Sequence, residues 1–171
     1  MSATGRGGGY RRAELYLRTD TYGTYDAQQR AIDRLRTLED EGVLAAGRVE
    51  RWAGIEINEY EGRESALATY DEFQDWARRN DADLEPAFQR RPRRTLGRRG
   101  VTEVVVFPVI ALAIYSGEDL RAVFPSRAGD RHYTVEECLD ALEVGTTNRL
   151  LGRFRGRPVE RTGPLMEAAI G

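Results

Sequence analysis

A chain of 171 residues with 40% apolar content and a formal net charge of -2 is long enough for one hydrophobic core and does not demand a second domain. Its longest apolar run, Val104 to Tyr115, contains Pro108 and falls short of the roughly 20 residues that cross a bilayer. The opening MSATGRGGGYRR lacks the apolar stretch of a secretory signal, so a cytoplasmic location with no membrane partner is expected. The single cysteine, Cys138, rules out an intramolecular disulfide and a multi-cysteine metal site.

All 26 basic residues are arginine, and they cluster. Residues 1–88 carry 18 acids and 12 arginines, a balance of -6; residues 89–100 carry six arginines and no acid. Residues 101–148 return to -5, and residues 149–171 end at +3. Lysine-free, acid-rich composition fits a GC-rich genome and a salt-rich cytoplasm. At molar salt the Debye length is about 3 Å, so close bidentate guanidinium pairs outlast long-range steering.

In chain order, residues 1–12 are expected to be flexible. Ala13 to Thr19 alternates Ala13, Leu15 and Leu17 against Glu14, Tyr16 and Arg18, the period of a half-buried strand. Ala27 to Glu41 follows as a helix with Ala27, Ala31, Ile32, Leu35 and Leu38 on one face. Asp26 is its expected N-cap and Gly42 its left-handed terminator. GRVERWAGIEI predicts a second strand, with a slip of alternation at Ala53-Gly54 that suggests a bulge. Ser65 to Asn80 predicts a second helix whose Tyr70, Phe73 and Trp76 stripe reads as core.

The arginine-rich QRRPRRTLGRRG, residues 89–100, reads as a loop limited by Pro86 and Pro92. EVVVFPVIALAIY predicts a buried strand interrupted at Pro108. The turn SGED then returns it through DLRAVFP as an antiparallel hairpin. HYTVEECLDALE predicts a third helix with Thr134 and Glu137 as a capping box and Tyr133/Cys138 as a hydrophobic staple. The sum is an α+β fold, a two-layer sandwich on a mixed sheet with a βαβ unit, loosely ferredoxin-like, over residues 13–144. Residues 145–171 read as a basic, flexible tail.

Catalytic chemistry is thinly provided. His132 stands alone beside a helix start, and Cys138 lies on an apolar face where a thiol is inert. GRGGGY lacks the Gly-Lys-Ser/Thr ending of a phosphate loop, and the carboxylates show no calcium-loop spacing. No catalytic residue, metal site or cofactor is predicted, and the chain is expected not to be an enzyme.

ELYLRT, QQRAIDRLRTLEDEG, RVERW, FQDWARR with LEPAF, FPVIALAIYSGEDLRAVFP and YTVEECLDALE resemble, in the same order, a family of small haloarchaeal HTH domain-containing proteins. The resemblance spans roughly residues 13–143. It implies a DNA-binding or regulatory role in an archaeal cytoplasm and carries over no cofactor and no catalytic residue. A helix-turn-helix needs a helix a few residues before its recognition helix, whereas the segment before Ala27 to Glu41 is the strand LYLRT. If that helix nonetheless entered a major groove, Gln28, Gln29, Arg30, Asp33, Arg34 and Arg36 would be its exposed contacts, with Arg30 and Arg34 the cationic pair.

Three readings stay open, the third being an enzyme with dispersed carboxylates, which would need a deep pocket holding clustered Asp and Glu. In the first, a nucleic-acid-associated regulator contacts phosphates through Arg90, Arg91, Arg93, Arg94, Arg98 and Arg99, with Arg149, Arg153, Arg155 and Arg157 of the tail. In the second, a non-enzymatic module binds a protein or a small ligand, with a homodimer among its forms. The loop arginines then pair with carboxylates of the acidic blocks on either side.

Overall fold

Alternation along one strand organises the molecule. The computed structural model describes residues 11–19, 21–52, 63–94 and 101–154. In chain order these form β1 (Arg11–Arg18), α1 (Tyr25–Asp40), β2 (Ala46–Trp52), α2 (Arg63–Arg79), β3 (Ala82–Asp83), β4 (Gln89–Arg94) and β5 (Val101–Val106). Then come β6 (Ile110–Ser116), β7 (Asp119–Phe124), β8 (Ser126–Ala128), β9 (Arg131–Tyr133), α3 (Val135–Val144), α4 (Thr147–Leu151) and a 3-10 turn at Gly152–Phe154. In β1, Ala13, Leu15 and Leu17 point to one face, Glu14 and Tyr16 to the other, and all five are buried.

The central sheet has the order β2-β1-β6-β7. β2 runs parallel to β1 with Ala13 opposite Gly47, β6 antiparallel to it with Leu15 opposite Leu112, and β7 antiparallel to β6. The α+β class with a mixed sheet and a βαβ unit is thus as the sequence predicts. Because β1 and β2 pair directly, with no strand inserted between them, the likeness to a ferredoxin-like sheet stays loose.

The layers number three rather than two. α1 covers the Ala13 face, where Ala31, Ile32, Leu35 and Leu38 are buried. Gly47 allows the approach: a Cβ there would stand 2.9 Å from Glu39 Oε2 and 3.1 Å from Leu35 Cγ. Its N–H donates to that same carboxylate at 2.6 Å. α2 covers the opposite face, its Phe73 ring edge-on to Tyr16 at 5.6 Å. A strand apolar on only one side would have supported two layers; Tyr16 is the residue that breaks that reading, since its ring is buried although it stands among polar positions.

α1 begins at Tyr25, two residues earlier than expected, with Thr24 at the N-cap and no side-chain cap bond. Asp26 therefore lies in the first turn, beside the positive end of the helix dipole, rather than capping it. Gly42 is left-handed, at φ +74°, as predicted. In α3 the capping box forms in full: Glu137 N–H donates to Thr134 Oγ1 at 3.1 Å, and Thr134 N–H donates to Glu137 Oε2 at 3.4 Å. Tyr133 and Cys138, the expected staple pair, are both buried.

Two expectations change. The arginine-rich segment is not a loop from its start: β4 pairs antiparallel with β5, from Gln89 opposite Val106 to Arg94 opposite Val101. Both members of a two-stranded ribbon are edges, so Pro92 can sit opposite Glu103 without breaking an inner ladder. The apolar run does break around Pro108, and it breaks completely, sending β5 to this ribbon and β6 to the central sheet.

The folded body also continues past residue 144. α4 and the 3-10 turn follow, and Phe154 is 3% exposed, with its ring 5.0 Å from Tyr133, 5.3 Å from Trp76 and 5.6 Å from Phe124. The Ala53-Gly54 slip, the amino-terminal stretch 1–10 and the final GPLMEAAI lie outside the described residues.

Candidate nucleic-acid interface

Among the described residues, α3 and α4 are the pair of helices joined by a tight turn. Only Gly145 and Thr146 separate them. Gly145 ends α3 in the left-handed conformation, at φ +83°, which an L side chain adopts at a cost. Its N–H and that of Thr146 both donate to Ala141 O at 2.9 Å, and Thr147 Oγ1 donates to the same carbonyl at 3.2 Å. Thr146 O then accepts from Arg149 N–H at 3.1 Å and Leu150 N–H at 3.2 Å, which starts the second helix.

α4 buries Thr147 and Leu151, and the turn after it buries Phe154; Asn148, Arg149 and Arg153 are left exposed. Arg11 of β1 donates to Asn148 Oδ1 at 2.7 Å and ties the short helix to the sheet. The sequence carried a usable signal here: a helix-ending Gly145, a threonine, then Leu150, Leu151 and Phe154 at helical spacing. Its arginine and glycine content masked it.

The candidate residues on α1 are placed otherwise. Gln28 is buried, and its Nε2 donates to Arg18 O at 2.8 Å and Val109 O at 3.1 Å, so it is a structural tie and not a groove contact. Arg34 reaches across to α3, its Nε donating to Glu143 Oε1 at 2.7 Å and its Nη2 to Asp140 Oδ1. Those bonds, the one to Glu143 foremost, hold its guanidinium pKa above the ordinary value. Gln29 donates to Asp33 at 3.0 Å, and Arg30 is exposed. Flanked by β1 and β2, α1 has no helix before it among the described residues to complete a motif.

Of the hairpin arginines, Arg90 and Arg91 are exposed on β4, and Arg93 and Arg94 lie further along the same strand. Arg98, Arg99, Arg155 and Arg157 lie outside the described residues. The two basic regions meet opposite ends of β1. Arg18 donates to Phe107 O at 3.0 Å at the hairpin's base, whereas Arg11 holds Asn148 of α4. Those anchors are seven residue steps apart along the strand, about 23 Å at roughly 3.3 Å per residue.

A buried polar cluster occupies the α2 face of the sheet. Tyr16 Oη donates to Glu14 Oε2 at 2.5 Å and Arg12 Nη1 to Glu14 Oε1 at 2.7 Å, while Tyr115 Oη donates to Glu72 at 3.1 Å. Its groups satisfy one another, which is structural chemistry. Among the described residues no three His, Cys, Asp or Glu side chains come together as a metal site, and no helix is long and apolar enough to cross a membrane. His132 is exposed on β9.

Cys138 is fully buried, and burial pushes its thiol pKa up, against a smaller opposing effect of Arg11. The thiolate is the reactive species. A disulfide reagent is therefore expected to label Cys138 at the rate of unfolding, with labelling in denaturant faster by orders of magnitude. Fast native labelling would place the thiol at the surface.

A family model described as a helix-turn-helix domain matches residues 7–147, from just before β1 through the first residue of α4. No curated protein and no solved structure matches the chain. The matched span takes in the central sheet, all of α1 to α3 and the turn at Gly145, and on that coverage the chain belongs to the helix-turn-helix domain family.

Proposed function

We propose that the chain is a DNA-binding regulatory protein that presents α4 to duplex DNA, with Arg149 and Arg153 against the phosphates. The observation that carries this reading is the α3-turn-α4 unit, whose second helix is anchored by Leu151, Phe154 and Arg11 and leaves its cations exposed. Anchoring matters because a cation held on a rigid element loses less entropy on contact. The β4–β5 hairpin, with Arg90, Arg91, Arg93 and Arg94 and with Arg98 and Arg99 beyond, is a second phosphate contact at the other end of β1. Arg155 and Arg157, which follow in the sequence, are further candidates for phosphate contact. An archaeal, salt-rich cytoplasm is the setting that the lysine-free composition supports. There, short-range guanidinium–phosphate contacts keep more of their strength than long-range steering does.

Duplex binding measured by fluorescence anisotropy against salt tests this. Each phosphate contact contributes about 0.9 to the slope of log K against log salt, so Arg149→Ala with Arg153→Ala is expected to reduce the slope by roughly 2. Arg90→Ala with Arg91→Ala should reduce it separately, and Arg30→Ala should leave it unchanged. Wild-type protein without salt-dependent binding, or an α4 double variant with the wild-type slope, overturns the assignment.

A further inference from the structure

Between α3 and α4 lies a cleft of about 300 Å³ lined by the apolar Ala141, Val144 and Leu150 and by Arg131, Arg149 and Arg153. The volume is at the small end of ligand sites. Two acids, Glu137 and Asp140, also border it, but both are engaged elsewhere. Glu137 closes the α3 capping box, and Asp140 is paired with Arg34 of α1. Arg131 lies over the Tyr133 ring at 4.9 Å, and Arg149 and Arg153 have no ion pair among the described residues. Three guanidiniums thus line the cleft against two carboxylates, one bonded in the capping box and one paired with Arg34, so the lining carries a net positive charge. Val144 is 74% exposed, so its side chain is open to an apolar group entering the cleft.

We infer that this cleft binds a small organic carboxylate with an apolar body, and that its occupancy competes with DNA for Arg149 and Arg153. The carboxylate end suits the planar guanidinium forks, and the apolar body covers Val144 and Leu150. The same two arginines, with Asn148 and Gly152, also border the outer surface of α4, so each can be drawn inward by a ligand or outward by a phosphate. The competition rests on the DNA-binding reading; the ligand class rests on the cleft alone.

Benzoate, inorganic phosphate and benzyl alcohol separate the requirements for charge and for apolar contact. Benzoate, titrated by calorimetry and by amide NMR on the intact chain, is expected to perturb α3 and α4 and to bind about tenfold more tightly than either control. Arg131→Ala, outside the proposed DNA contacts, should weaken benzoate by about tenfold and leave duplex affinity unchanged. Val144→Glu, at an exposed position, should abolish benzoate binding while the protein keeps its thermal midpoint. Phosphate binding as tightly as benzoate, no benzoate binding, or indifference to both substitutions overturns the inference. Benzoate binding by a protein that binds no duplex would overturn the competition and retain the ligand class.

Discussion

Phe154→Ala is expected to destabilise the protein by about 3–5 kcal/mol, the usual cost of truncating a buried phenylalanine to alanine. Three rings from three elements meet it: Trp76 of α2, Phe124 of β7 and Tyr133 of β9. Trp76, Phe124 and Tyr133 are themselves buried, so the void left by truncation cannot collapse by moving an exposed neighbour inward. A surface tail would give an effect within about 0.5 kcal/mol. Urea unfolding monitored by tryptophan fluorescence separates the two outcomes, and a loss under about 1 kcal/mol would remove Phe154 from the core. The same variant should weaken DNA binding at unchanged salt slope, because α4 loses its anchor while its cations remain.

That Phe154 belongs to the core was hard to read from residues around it. GRFRGRP is dominated by arginine, glycine and proline, which mask the helical spacing of Phe154 with Leu150 and Leu151. What places it is tertiary: Trp76 and Phe124 are 78 and 30 residues away along the chain. The elements that were legible carried their information locally. Thr134 and Glu137 specify the start of α3 through bonds spanning three residues, and the structure contains both. Ala13, Leu15 and Leu17 specify β1 by alternation alone.

The arginine segment shows where local reading stops. QRRPRR has neither alternation nor β-branched residues, and its strand character comes from its partner VTEVVV, which supplies the ladder. For the candidate site the lesson is similar. Gln28 and Arg34 look like solvated groove contacts on a helical wheel, and only the positions of Val109 and of α3 reveal that both are already bonded. Arg149 and Arg153 were identifiable as cations from sequence. Their rigid setting depended on a two-residue turn obscured by composition.

Glu14→Leu is the second substitution with a large expected effect, about 2–4 kcal/mol, because removing one member of a buried charged cluster leaves its partners uncompensated. Tyr16 loses the acceptor of its hydroxyl, and Arg12 keeps only its place over the Tyr115 ring, at 4.1 Å. Arg12 is partly exposed, with 31% of its side chain accessible, so water recovers some of that loss. Glu14→Gln, which keeps an acceptor for Tyr16 and gives up the charge, should cost less. Alkaline pH tests the same cluster. Burial first, then the hydrogen bond to Glu14, raises the Tyr16 pKa, while burial and the charges of Glu72 and Glu14 raise that of Tyr115. A phenol with a raised folded-state pKa contributes stability that is complete below its unfolded value, near 10, and is lost as pH climbs above it. Urea midpoints should therefore be level in these two groups up to about pH 10 and fall beyond it, with a shallower fall in Tyr16→Phe. In Glu14→Leu the carboxylate's part of the shift is gone and burial remains, so its alkaline fall should lie between those of the wild type and Tyr16→Phe. A Glu14→Leu protein as stable as wild type, with the full wild-type alkaline fall, would show that the cluster does not couple Tyr16 to Glu14.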